Sequence, residues 1–234
     1  MSIDSADPPG PAPRPRHVLP VLGVIALLVA GALLVFSTRS DTPGDTSPEA
    51  GFARDMAIHH AQAVDMSIIV RDQTKDGPLR TLSYDIITTQ GAQLGIFMGW
   101  LQAWGLKQAS AQPPMAWMSG HAHGGAPPTA PTAPAAVASG GSYMPGMATE
   151  EEMNRLKAAT GKQAEILFLQ LMIRHHEGGL EMAEGLLKLS DRPEVRDLAQ
   201  HIVTGQTAEI RMMKEMLTER GAQPLPSILP ASAA

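Results

Sequence analysis

The stretch FARDMAIHHAQAVDMS, Phe52–Ser67, sets two adjacent histidines between two methionines inside an apolar pattern. FLQLMIRHHEGGLEMA, Phe168–Ala183, nearly repeats it at a shift of 116 residues. The register then runs on without a gap. Met56 meets Met172, His59-His60 meets His175-His176, and Asp65-Met66 meets Glu181-Met182. Further along, Arg80 meets Arg196, Gln90 meets Gln206, Gln93 meets Glu209, and Gly105 meets Gly221. The unit is a helical hairpin of roughly 54 residues. A single hairpin cannot bury its apolar stripe. Two hairpins joined by one long crossover make a ferritin-like four-helix bundle, so the expected fold is all-α.

Local signals place the elements. Residues 1–16 read as a disordered cytoplasmic tail rich in Pro and Asp. Residues 17–37 read as a transmembrane anchor, because HVLPVLGVIALLVAGALLVF (His17–Phe36) carries no charge after His17. At about 1.5 Å rise per residue such a run nearly spans a bilayer core of roughly 30 Å. Arg14 and Arg16 precede it and keep the N-terminus cytoplasmic. The alternative is a cleaved signal peptide, which would leave the protein secreted. Either way the remainder is extracytoplasmic, in a single-pass cell-membrane protein if the anchor stays.

Residues 38–47 read as a polar linker and residues 48–105 as the first hairpin. Ser47-Pro48 caps its first helix and KDGP (Lys75–Pro78) breaks it. Residues 106–147 are rich in Pro, Ala and Gly and are expected not to pack. Residues 148–222 form the second hairpin. Thr149 with Glu152 makes a capping box, and Asp191 with Glu194 suggests another. Residues 223–234 read as a disordered tail.

Placed on a helical wheel, Met56, His59, His60 and Met66 share one arc with Phe52 and Val70. Met172, His175 and Met182 share the matching arc, with His176 at its edge. The partner arms point Gln90, Gln93, Gln206 and Glu209 inward, where they are expected to orient the imidazoles. Asp65 and Glu181 fall on the opposite, solvated face. A methionine stripe at helical spacing is most often core. Two copies of the same His-His and Met pattern, each facing a polar arm, argue for more, since Phe or Leu would fill space without burying polar groups.

The chain has no cysteine, 14 methionines and only 4 Phe, 3 Trp and 2 Tyr. Without thiolate, a soft-metal site must use thioether and imidazole, which suit copper, above all Cu(I). Zinc and iron stay open, although HHEGGLE is not the zinc-protease motif and the Glu-x-x-His pairs of di-iron bundles do not occur. Asp55 lies four residues before His59, but its counterpart is Leu171. On the crossover, Met115, Met118, His121, His123, Met144 and Met147 form an auxiliary soft-ligand set or a plain spacer. No catalytic residue is identified. The net charge of −5 argues against nucleic acid. Metal ion and membrane are the expected partners; copper-handling proteins and a homodimer through a helix face are compatible with the pattern.

FARDMAIHHAQAVDM, the MPGM lead-in and HHEGGLEMA together resemble the domain-of-unknown-function 305 family (DUF305), over about Phe52–Gly221. The resemblance implies a ferritin-like helical fold in a secreted or membrane-anchored bacterial protein, with copper binding and resistance among some relatives. The motif residues that carry over are Met56, His59, His60, Met66, Met172, His175, His176 and Met182. Gly178-Gly179 stands out, because glycine in a helix interior costs about 1 kcal/mol each. The expected function is extracytoplasmic copper buffering, chaperoning or resistance. The rivals are a structural module with a polar core network and a metal-dependent oxidase on the same scaffold.

Overall fold

The computed structural model describes residues 42–119 and 144–229. Among them are five α-helices, one 3-10 turn and no strand. The expected membrane segment 17–37 lies outside the described residues. Among those described, no helix is long and apolar enough to cross a membrane.

Helix α1 spans Pro48–Gln73 and starts as its sequence dictates. Ser47 Oγ accepts from the Ala50 amide at 3.2 Å, and Pro48 needs no partner for its missing N–H. Helix α2 spans Gly77–Ala103, capped by Asp76, whose carboxylate accepts from the Leu79 amide at 2.8 Å. It ends at Gly105, whose φ of +69° only glycine adopts easily. There the Leu106 amide closes back on the Leu101 carbonyl at 2.8 Å. Helix α3, Glu150–Ala158, carries the capping box expected at Thr149 and Glu152. Helix α4 spans Gly161–Leu189 and α5 spans Pro193–Glu219. The box expected at Asp191 does not form. Arg192 is the N-cap residue, with no side-chain cap.

The turn between α4 and α5 is held instead by Arg196. It donates to the Leu187 and Ser190 carbonyls at 2.5 and 2.7 Å, satisfying acceptors orphaned at the end of α4. Arg80 does the same for α1, on the carbonyls of Arg71 and Thr74. All three positions match at the shift of 116. The C-terminus of α5 also copies that of α2. Gly221 has φ of +67°, and the Ala222 amide closes on Leu217 at 3.0 Å.

Helices α1 and α2 form one hairpin, α4 and α5 the other, and α1 packs against α4 between them. The inner pair runs antiparallel. Thr74, just after α1, donates to Glu165 near the start of α4 at 2.6 Å, while Ser190, just after α4, donates to Glu49 near the start of α1 at 2.5 Å. Two apolar clusters result. One holds Met66 and Met172 with Phe168, Leu169 and Leu171; the other holds Met56 and Met182 with Phe52, Phe97 and Leu101. Each draws one motif methionine from each repeat.

The crossover and the tail depart from expectation. Met115–Ser119 and Met144–Thr149 pack on the helices rather than standing clear, as do Ala222, Leu225 and Leu229 of the C-terminal segment. The physical reason is that each segment meets a prepared partner. Trp117 sits edge-on to Phe52 at 5.8 Å, in space left by Gly51, where a Cβ would come within 2.5 Å of the indole. On the tail, the Ile228 amide donates to Glu177 at 3.0 Å.

A candidate metal centre on the pseudo-two-fold axis

Between the two apolar clusters lies a polar layer. His59, His60, His175 and His176 are all fully buried. The His59 and His175 rings stand 3.8 Å apart, tilted by 36°. Each has its sequence neighbour at 6.5 and 6.4 Å respectively. His59 and His175 are repeat equivalents, so their meeting point lies on the pseudo-two-fold axis of the duplication. Met56, Met66, Met172 and Met182 are fully buried within a turn or two of the histidines along their helices. The four histidines share this layer, and the motif methionines lie in the apolar clusters on either side of it.

Three imidazoles have a defined tautomer. His59 Nε2 lies 3.1 Å from the Pro145 carbonyl, His60 Nε2 lies 2.7 Å from Gln93 Oε1, and His176 Nε2 lies 2.7 Å from Glu209 Oε2. A carbonyl or carboxylate oxygen can only accept, so each Nε2 carries the proton and donates. In the neutral rings of His59 and His60 each Nδ1 then keeps its lone pair. No Nδ1 of the four histidines finds a hydrogen-bond partner among the described residues, and neither does His175 Nε2.

Burial disfavours the charged form of His59, His60 and His175. It pushes His59 down to about 4, opposed by the Pro145 carbonyl. It pushes His60 down to about 3, helped by the neighbouring His59 and opposed by Gln93. His175 is likewise driven well below the ordinary histidine value, first by burial and then by His59. At neutral pH these three rings are bases with free lone pairs, the form in which imidazole binds metal.

The expected orienting groups divide. Gln93 and Glu209 hold imidazoles; Gln90 and Gln206 do not. Both of the latter are buried, and neither end of either amide finds a partner among the described residues. Gln206 leans on α4 at Gly179, where a Cβ would fall 2.3 Å from its Oε1. The auxiliary set divides as well. Met115, Met144 and Met147 pack on the cluster that holds Met56 and Met182, and Met118 lies against Gly185. His121 and His123 lie outside the described residues.

Sequence reasoning missed what covers the layer. Met144–Ala148 crosses α4 at Gly178, where a Cβ would stand 2.0 Å from the Pro145 oxygen. Gly146, at φ +72°, faces the Arg174 carbonyl, whose oxygen a Cβ there would meet at 2.3 Å. Gln62 pins the strap with two bonds to Ala148, of 2.7 and 2.9 Å. Arg174 adds bonds to the Gly146 and Met147 carbonyls and an ion pair to Glu152. The signal was present in Gly178-Gly179, whose helical cost has no local compensation. Asp55, which has no acidic counterpart in the second repeat, has a role that the sequence did not indicate. It is buried and accepts from the Met115 amide at 2.7 Å and from Trp117 Nε1 at 2.9 Å. Burial raises its pKa, against those two bonds.

Among the described residues, no three His, Asp or Glu side chains form a cluster that could hold an ion.

Two helical hairpins packed through an antiparallel inner pair define the class of fold, and the comparisons supply its family. The model of DUF305, a domain of unknown function, matches residues 49–217. The chain belongs to the DUF305 family. It is similar to a crystal structure of a DUF305 protein from Streptomyces coelicolor, at 43% identity and a TM-score of 0.67, covering 78% of this chain and 99% of that one. A DUF305 fragment from Deinococcus radiodurans matches at 32% identity and a TM-score of 0.56, covering 74% and 96%. CopM in its Cu(I)-bound form shares the fold at 21% identity and a TM-score of 0.53, covering 74% and 96%. No curated protein matches this chain.

Proposed function

We propose that this chain is an extracytoplasmic copper-binding protein on a ferritin-like four-helix scaffold, and that it buffers or hands on Cu(I). His59, His60, His175 and His176 supply nitrogen; Met56, Met66, Met172 and Met182 supply sulfur. The observation that carries this reading is the row of buried ring nitrogens without hydrogen-bond partners among the described residues. Leaving a buried polar atom unpaired costs about 1–3 kcal/mol, so a merely structural core would pair these atoms or replace them with apolar groups. The three fixed rings each tie Nε2 to an acceptor and leave Nδ1 free. Metal-bound imidazoles are held in that way, the second nitrogen donating to a carbonyl or carboxylate.

Copper fits the donors better than zinc or iron. Thioether and imidazole are soft to borderline ligands, and among the described residues Glu209 is the one carboxylate hydrogen-bonded to a histidine of the layer. Solved forms of the distant fold relative CopM carry Cu(I), Cu(II) or Ag, which accords with this reading. Residues 17–37 would anchor the chain in the membrane, or be cleaved on export, with metal the primary partner and a copper-handling protein the recipient. The role is binding rather than catalysis.

Competition for Cu(I) against a chromogenic chelator tests the reading. The purified chain is expected to hold copper, and the H59A/H175A variant to lose it. Full retention in that variant would overturn the assignment.

A further inference from the structure

We infer that Glu209 makes the two halves of the histidine layer unequal, so that the second repeat favours the more highly charged cupric ion and the first favours Cu(I). This rests on the copper reading above.

The geometry is a matched pair with one difference. His60 and His176 are repeat equivalents, both fully buried. Each Nε2–H donates at 2.7 Å to a residue 33 positions further on, on the partner arm of its own hairpin. The acceptor is a neutral amide in Gln93 and a carboxylate in Glu209. Position, distance and burial are shared; only the charge differs.

That charge acts through the ring. A carboxylate accepting from Nε2–H draws the proton toward itself and raises electron density at Nδ1, which makes the imidazole a stronger donor. It also adds a negative charge beside a low-dielectric interior, where charge–charge attraction is far stronger than in water. A dication gains about twice what a monocation gains from the same carboxylate. Around His60 the acceptor on Nε2 is the neutral Gln93 amide and the Phe97 ring lies 5.6 Å away, so no carboxylate assists that ring, which is the softer environment that suits Cu(I). Glu209 is thus a positioning and tuning residue, acting on the ion through His176.

The test uses the full chain and three variants: E209Q, Q93E, and the swap Q93E/E209Q. Each is titrated separately with Cu(II) and, under reductant, with Cu(I), against competing chelators. E209Q is expected to lose about tenfold or more in Cu(II) affinity, within the range usual for partners of ligating histidines, with a much smaller loss for Cu(I). Q93E is expected to gain Cu(II) affinity, and the swap to restore the wild-type ratio. A merely structural Glu209 would weaken both oxidation states equally, which overturns the inference, as would a ratio unmoved by all three variants. Wild-type protein that binds neither ion overturns the copper reading and this inference together. Wild-type binding with an unmoved ratio overturns the inference alone.

Discussion

The Thr74 hydroxyl donates to Glu165 at 2.6 Å, and the relationship returns in reverse 116 residues on, where Ser190 donates to Glu49 at 2.5 Å. Each hydroxyl also accepts the amide two residues ahead, at 3.0 and 3.2 Å. A contact from repeat one to repeat two is thus answered by its image from repeat two to repeat one. Such reciprocity is what a two-fold interface between identical units requires. It fixes the inner helices antiparallel and brings His59 against His175.

Because the two bonds are equivalent and lie at opposite ends of the inner helix pair, Thr74→Val and Ser190→Ala should cost similar amounts. We expect about 0.5–1.5 kcal/mol each, additive within about 0.5 kcal/mol in the double variant. Urea unfolding would show it. Strong non-additivity would mean that the two ends are coupled, contrary to the geometry.

Adjacent glycines should respond differently to alanine. At Gly178 the new Cβ meets a backbone oxygen at 2.0 Å, and the strap must shift; at Gly179 it meets the end of the flexible Gln206 side chain. G178A should destabilise by about 1–3 kcal/mol. In G179A the helix gains about 1 kcal/mol in propensity, which offsets the displaced glutamine. Equal effects in thermal unfolding would contradict this account of the strap.

Much of the architecture is legible in the sequence because it is written in periodicity and duplication. The shift of 116 pairs the two arginines and the two terminal glycines, and the helical wheel places the histidines inward; that the arginines clamp helix ends is seen only in the structure. The strap and the Trp117 contact are not legible that way. Met144–Ala148 and Met115–Ser119 have no period of their own and are ordered by what they touch, so their composition reads as spacer. Their receptors, Gly51, Gly178 and Gly185, appear in the sequence only as poor helix residues. That Gln90 and Gln206 find no side-chain partner among the described residues is equally invisible, since a helical wheel gives direction but not reach.

Asp55 ties the Met115–Met118 turn to α1 through two bonds. Asp55→Ala should leave the Trp117 indole and the Met115 amide without their acceptor and free the turn, costing about 1–3 kcal/mol. Limited proteolysis should then cut near residues 110–119, with tryptophan emission shifted to the red. Unchanged protection would show that the turn is held by Phe52 and Gly185 packing alone.

Stability should fall in mild acid. His59 and His60 are held near 4 and 3 in the folded chain, against 6.5 for an exposed ring, so the unfolded state binds more protons between those values. Their neutral burial therefore costs nothing above about pH 6.5 and is penalised progressively as pH drops toward 4, by about 1.4 kcal/mol per pH unit for each ring. Denaturation midpoints at pH 7, 6 and 5 should decline in that order, and less steeply in H60F. A flat profile from pH 7 to 5 would contradict the burial of neutral histidines.

The most direct test is nitrogen NMR of the histidine side chains, before and after one equivalent of Ag(I) as a diamagnetic stand-in for Cu(I). The account predicts Nε2–H tautomers for His59, His60 and His176 in the metal-free chain, and metal-induced shifts centred on Nδ1 within the buried four. Opposite tautomers, or shifts confined to His121 and His123, would contradict it.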